Sequence, residues 1–271
     1  MNDIGKHLAL LQTKPFFEIE ATNECNVNCE YCPRSNITRK IGVMDDVTFN
    51  SVIDKIPSGS KIMFAGMGEP LLNQDVDDFI KQTKKRKMIV GITTNGSLLT
   101  KRRLEKLIEN NTDFLQISVP PNQNRWPHII SILLGFKEFT NHNTILQVSM
   151  VESDGLLDYS PIVSVAKDCG YKVLRKQKHS RGGNLYYPTS EKIHICGLFP
   201  KIVFVTWNGD VLSCCQDLSG STKLGNLIHQ KLSVIKQRKK MVIESNDWFD
   251  LCSYCDDEYR KLIFYDCSEL E

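Results

Sequence analysis

The chain has 271 residues, 41% hydrophobic and 24% charged, with 34 basic side chains against 32 acidic ones. That composition supports a sizeable core and excludes a disordered or fibrous chain, and a formal charge of +2 gives no overall field for nucleic acid or an anionic membrane. No apolar run approaches the roughly 18 residues a membrane helix needs, and no secretory cleavage pattern opens the chain, so a cytoplasmic protein is expected.

A first strand is expected at FFEIEA (16–21), running almost directly into a group of cysteines. Asp46 to Ile56 then reads as helix, KIMFAG (61–66) as strand, Val76 to Lys85 as helix and MIVGITT (88–94) as strand. Lys101 to Asn110 (helix), FLQISV (114–119, strand) and residues 129–140 (helix) continue the alternation. ILQVSMV (145–151, strand), residues 160–169 (helix) and YKVLRK (171–176, strand) complete it. About six βα units predict an α/β fold whose parallel sheet closes, or partly closes, into a (β/α)6 TIM-like barrel. In such sheets chemistry sits at the carboxyl ends of the strands. From about residue 186 the texture changes to short strands (IVFVTW, DVLSC), glycine turns and cysteines, so two domains are expected, 1–185 and 186–271.

Ten cysteines in a chain without an export signal argue against a disulfide framework and for metal, cluster or catalysis. Cys25, Cys29 and Cys32 lie in the loop after the first strand. Three thiolates on one tight loop can hold three irons of a cubane. Structural zinc wants four ligands, and no cysteine or histidine follows until His128. A second set, Cys196, Cys214, Cys252 and Cys255, has the spacing C-x17-C and then C-x2-C. A four-cysteine zinc site is one reading of it. Cys169 reads as a packing thiol.

C-x3-C-x-aromatic-C after a first strand, with Tyr31 as the aromatic, resembles the radical S-adenosylmethionine (SAM) superfamily. The resemblance implies that Cys25, Cys29 and Cys32 hold a [4Fe-4S] cluster whose open iron binds SAM. Reductive cleavage then gives a 5′-deoxyadenosyl radical that abstracts a substrate hydrogen. Gly66-Met67-Gly68-Glu69-Pro70 looks like the family's GGEP turn, which receives the SAM amino group, with Met67 in place of a glycine and the turn less permissive for it. Thr93-Thr94-Asn95-Gly96 resembles the TNG segment, and Ser118, ending the fourth strand, is placed for the SAM ribose or carboxylate. The implied cofactor-binding set is therefore Tyr31, Gly66, Gly68, Glu69, Thr94, Asn95 and Ser118.

The tail resembles the SPASM extension of these enzymes or its shortened form, twitch, a β-hairpin plus helix. Six tail cysteines fall short of the seven that two extra clusters need. One auxiliary [4Fe-4S] cluster on Cys196, Cys214, Cys252 and Cys255 is thus implied, with Cys267 as a substitute ligand or a terminal thiol. In an extended segment Cys215 would point away from Cys214, as a packing thiol or as a hydrogen-atom donor. Arg181, before Gly182 and Gly183, is suited to clasp a carboxylate or hydroxyl. The basic runs Lys84–Lys87 and Lys236–Lys240 read as solvated helix ends, and no histidine is assigned a role.

The whole chain resembles twitch-bearing dehydrogenases that oxidise an aminocyclitol. The resemblance implies two-electron oxidation of a small polar substrate such as an amino sugar or cyclitol, with Arg181 at the hydroxyl. The alternatives are epimerisation through Cys215, peptide modification, or a cluster-binding module without activity. Cys215-Gln216, Thr93 and Met67 depart from those dehydrogenases, so substrate identity does not transfer. Expected partners are a small-molecule substrate and a flavodoxin- or ferredoxin-type electron donor, with no nucleic acid and no membrane.

Overall fold

A computed structural model describes residues 15–139, 142–152, 157–188 and 196–257. Six strands carry the first part: β1 (Phe16–Ile19), β2 (Lys61–Phe64), β3 (Ile89–Thr94), β4 (Phe114–Ser118), β5 (Ile145–Glu152) and β6 (Lys172–Gln177). They pair in parallel, in chain order. Between them run α1 (Asp46–Ile53), α2 (Val76–Lys85), α3 (Lys101–Glu109), α4 (Trp126–Phe136) and α5 (Ser160–Asp168).

Alternation along the strands separates two faces. Phe17 and Ile19, Ile62 and Phe64, Val90 and Ile92, Leu115 and Ile117 are buried under the helices. There Phe49 of α1 stacks on Phe79 of α2 at 4.2 Å, with Phe64 tilted against both. Burying each such ring is worth about 2–3 kcal/mol. The opposite face is polar. Gln116 and Gln147 are register partners joined by a 3.0 Å amide hydrogen bond, and Ser118 pairs with Ser149. A flat sheet would hold β1 and β6 about 24 Å apart, five spacings of ~4.8 Å. Yet Glu18 of β1 and Lys176 of β6 act on each other electrostatically. The six strands therefore curve into a partial barrel with a polar interior.

β7 (Ile202–Val205) adds in parallel to the free side of β1, with Phe16 opposite Ile202. β8 (Asp210–Leu212) returns antiparallel and β9 (Gly225–Asn226) follows, so all nine strands form one sheet. The last elements described are α6 (Leu232–Ser245) and the single turn α7 (Asp250–Ser253). A hairpin and a helix thus follow the barrel, as expected for a twitch-like tail.

Several sequence expectations need correction. α1 ends at Ile53 rather than Ile56, and α4 opens at Trp126 rather than residue 129 because Pro127 suits the first turn of a helix. The strand before Cys214 stops at Leu212, and Cys214 and Cys215 stand at a turn instead of in extended chain. Lys239 is buried, 1% exposed, inside a run that reads as solvated. Cys267 lies outside the described residues. Among those residues no helix is long and apolar enough to cross a membrane.

Candidate active site

The cysteine loop is anchored where β1 ends. Thr22 donates its hydroxyl to the Gly42 carbonyl, Arg34 donates to the Asn23 carbonyl, and the Cys32 amide donates to the Cys29 carbonyl at 3.0 Å. Burial raises the Cys25 thiol, and burial with Cys32 close by raises Cys29 to about 11. Tyr31 is buried and donates its hydroxyl to the Val119 carbonyl at 3.2 Å, which pins the loop to the end of β4. The Asn95 side-chain amide lies 3.8 Å from the Cys25 sulfur and donates to Asn26 at 3.0 Å.

The glycine turn is wedged against this loop. A Cβ on Gly68 would meet the Thr22 carbonyl oxygen at 2.2 Å and that of Glu24 at 2.5 Å. Gly66 carries the left-handed backbone, at φ 147°, while Met67 does not. The middle position therefore tolerates a side chain, and the turn forms where the sequence reading expects it to be less permissive. Glu69 is 1% exposed, and its carboxylate accepts from the Leu71 amide, the Thr94 hydroxyl and the Asn95 amide at 2.7–3.0 Å. Glu69, Thr94 and Asn95 thus form one group linking the ends of β2 and β3. Ser118 stands apart on the interior face, and among the described residues its side chain makes no hydrogen bond.

The tail cysteines gather around Cys214. Its thiol is pushed well up, first by burial and then by Cys252, Cys196 and Cys255. The turn that carries it is organised by Asp217, whose carboxylate accepts from the Ser219, Gly220 and Thr222 amides and the Thr222 hydroxyl. Arg181, Gly182 and Gly183 form a left-handed run (φ 56°, 67° and 83°), free for the two glycines and strained at Arg181 alone, the kind of strain that gathers at functional sites. The close neighbours of these glycines are Leu251, Tyr254 and Gln216. Ser180 donates to Asp256 and to the Tyr254 carbonyl.

Cys215 follows Cys214 in the same turn. It lies against Glu18, with Arg181 and Lys176 bearing on the same place. Glu18 is pushed up to about 7, by burial first and then by Glu20, with Lys176, the Cys215 thiol and Arg181 pulling it back. Lys176 is lowered by burial and then by Arg181. Glu18, Lys176 and Cys215 are each partly exposed and act on one another as a single cluster. His179 joins them: its Nδ1 accepts from the Arg181 amide at 3.3 Å and its Nε2 stands 3.8 Å from Asp257. Sequence reasoning missed Glu18, Lys176 and His179. The signal for Glu18 was a charged residue in mid-strand, directly after two phenylalanines.

Residues 19–120 match the radical SAM superfamily, and residues 196–256 match SPASM, an iron-sulfur cluster-binding domain. The chain thus carries a radical SAM domain followed by an iron-sulfur cluster-binding domain. It is 27% identical over 254 residues to the S-adenosyl-L-methionine-dependent 2-deoxy-scyllo-inosamine dehydrogenase of Niallia circulans, covering 88% of this chain and 91% of that one. It is 35% identical over 115 residues to the tungsten-containing aldehyde ferredoxin oxidoreductase cofactor-modifying protein of Pyrococcus furiosus, covering 40% of this chain and 32% of that one. The crystal structure of BtrN in complex with AdoMet and 2-DOIA superposes with a TM-score of 0.63 at 22% identity, over 91% of this chain and 94% of that one, a likeness of fold.

The residues of both radical SAM cysteine sets fit iron-sulfur clusters on the chemistry of their donors. Each is a group of partly buried thiols, and thiols release their protons when they bind a metal. Among the described residues no three donors close tightly enough to share one ion. A cubane gives each thiolate its own iron and so spreads them.

Proposed function

We propose that this radical SAM protein oxidises a small, polar, hydroxylated substrate of the amino-sugar or cyclitol kind by two electrons. The supporting observation is the cluster of charged and polar groups where Glu18, Lys176, Arg181 and Cys215 meet. Such a cluster of both charges suits hydroxyl and amino groups better than an apolar ligand. The dehydrogenase from Niallia circulans, whose printed activity is of this type, matches along nearly the whole chain.

In this reading Cys25, Cys29 and Cys32 hold one cluster, with SAM between the Gly66–Glu69 turn, Thr94, Asn95 and Ser118. Cys196, Cys214, Cys252 and Cys255 hold the second, and the division of labour falls near residue 186. When bound, these groups supply a 5′-deoxyadenosyl radical that takes a hydrogen atom and a one-electron acceptor. The chain's own task is to orient the substrate and to move a proton. Arg181 holds the reacting oxygen through its guanidinium, and the Glu18 carboxylate, titrating near neutrality, takes the hydroxyl proton. Lys176 keeps the ionised form of Glu18 paired. A flavodoxin- or ferredoxin-type protein is the expected source of the reducing electron.

Epimerisation is the second reading, favoured by the Cys215 thiol lying beside Glu18 and Arg181. Anaerobic turnover with SAM and a panel of aminocyclitols and amino sugars separates the two. Substrate-dependent 5′-deoxyadenosine with a product lighter by two hydrogens supports oxidation. A product of unchanged mass that gains deuterium from the solvent overturns it in favour of epimerisation. Iron per chain of about eight, falling to about four in the Cys25/Cys29/Cys32→Ala variant, is the matching test of two clusters.

A further inference from the structure

Lys239 belongs to the apolar stripe of α6, in line with the buried Leu232 and Ile235, while its neighbours Arg238 and Lys240 are exposed. Its ammonium donates a short hydrogen bond to the Ile202 carbonyl at the start of β7 and lies 4.8 Å from the centre of the Phe199 ring. Phe199 is three residues beyond Cys196. It packs edge-on against Trp248 at 5.4 Å and Phe249 at 6.0 Å, just ahead of the turn that carries Cys252. Among the described residues no carboxylate meets Lys239, and the ionisable groups that bear on it are Cys196 and Cys214.

Burying an ammonium is costly even after relaxation, and one carbonyl with one ring offsets only part of that. A leucine or methionine would serve the stripe better if packing were the whole purpose. A charge kept here needs an anion, and the nearby thiols become one when they are deprotonated around metal. We propose that Lys239 is the counter-cation of the auxiliary cysteine set and raises the reduction potential of the cluster held there. This rests on Cys196, Cys214, Cys252 and Cys255 being its ligands. The sign follows from electrostatics: the reduced cluster carries one more negative charge, so a fixed cation stabilises it more than the oxidised form. A higher potential makes the cluster a better electron acceptor.

The test is the midpoint potential of the auxiliary cluster, followed by electron paramagnetic resonance in an anaerobic titration. It is done in the full chain carrying Cys25/Cys29/Cys32→Ala, so that only the tail cluster reports. Lys239→Gln removes the charge and retains a donor for the Ile202 carbonyl, Lys239→Met removes both, and Lys239→Arg keeps the charge. Lys239→Gln should make the one-electron reduction about tenfold less favourable, a shift of ~59 mV to lower potential, and Lys239→Arg should restore it. If Lys239→Met fails to load iron, Lys239→Gln carries the comparison. A Lys239→Gln cluster with full iron and an unchanged potential overturns the inference. A triple-alanine chain that holds no iron at all overturns the auxiliary-cluster reading, and this inference with it.

Discussion

Alanine at Gly68 is the most direct probe of how the sheet positions the first cysteine set. Its Cβ would lie 2.2 Å from the Thr22 carbonyl oxygen, 2.5 Å from the Glu24 carbonyl oxygen and 2.8 Å from the Asn23 Cα. All three atoms are backbone, so no rotamer change relieves the overlap, and one loop must retreat from the other by about 1 Å. The same two loops share the hydrogen bond from the Glu69 amide to the Glu24 carbonyl at 2.7 Å, which that retreat would break. Overpacking of about 1–3 kcal/mol and a hydrogen bond of about 1 kcal/mol together give a loss of roughly 3 kcal/mol. For a chain of this size that lowers Tm by roughly 6–12 °C. Because the displaced segment leads straight into Cys25, iron at the first site should fall as well. Thermal unfolding and iron analysis of the anaerobic protein check both. The control is Gly135→Ala in α4, where a Cβ meets nothing within 4 Å and helix propensity favours alanine by about 0.5–1 kcal/mol. A Gly68→Ala protein as stable as wild type, with its full iron, would refute the claim that contact between the two loops fixes the cysteines.

Two further outcomes follow from the site. Glu18 titrates at about 7 in the fold against an ordinary 4.5, so the folded state keeps a proton that the unfolded chain releases, and stability falls as pH rises between those values. Glu18→Gln should therefore be more stable than wild type at pH 8, by up to about 3 kcal/mol, and no more stable near pH 4, as read by urea unfolding. In turnover, wild-type kcat/KM should climb with pH to a plateau above about 7; a flat profile would remove Glu18 from proton transfer. Asp217→Ala should unmake the turn carrying Cys214 and remove about four irons while the first cluster stays, measured as iron per chain and by its spectrum. Asp217 is held below its usual range by its hydrogen bonds, so its contribution is present above that range and is lost as pH falls through the lowered value.

Most strands were legible because apolar alternation over a half-buried sheet is a local pattern. β3, β4 and β5 stand within a residue or two of where the pattern puts them. Cys25, Cys29 and Cys32 stand out for the same reason, as a spacing within eight residues, whereas Cys196, Cys214, Cys252 and Cys255 come from distant parts of the tail. What was hidden depends on curvature. Glu18 and Glu20 look like the solvent side of an ordinary strand, and only the bending of six strands turns that side into an interior. Lys239 was masked in a different way. A run such as Lys236–Lys240 is read as one charged block, whereas a helix distributes its members around the axis and brings the fourth of them into line with Leu232 and Ile235. The pairing of Cys215 with Glu18 joins two residues nearly two hundred apart, and no local pattern carries it.

The same curvature explains why the tail and the barrel work as one unit. β7 extends the sheet from β1, so the strand bearing Glu18, with Glu20 just past its end, lies between the barrel and the hairpin. Glu20 is fully buried and takes both ends of the Arg39 guanidinium at 2.5–2.6 Å, while also accepting from the Met67 amide. Arg39 in turn donates to the Asp217 carbonyl, and the Thr38 and Arg39 amides both donate to the Leu218 carbonyl. One guanidinium therefore ties the segment after the first cysteine set to the turn that carries Cys214. Asn184 completes the ring on the other side, donating to the Gln216 carbonyl and accepting from Asn36. A buried, bidentate pair of this kind is demanding in geometry and adds little net stability, so its value lies in register. It holds two cysteine-bearing loops in a fixed relation to one another, and electron transfer between substrate and metal would require that constancy.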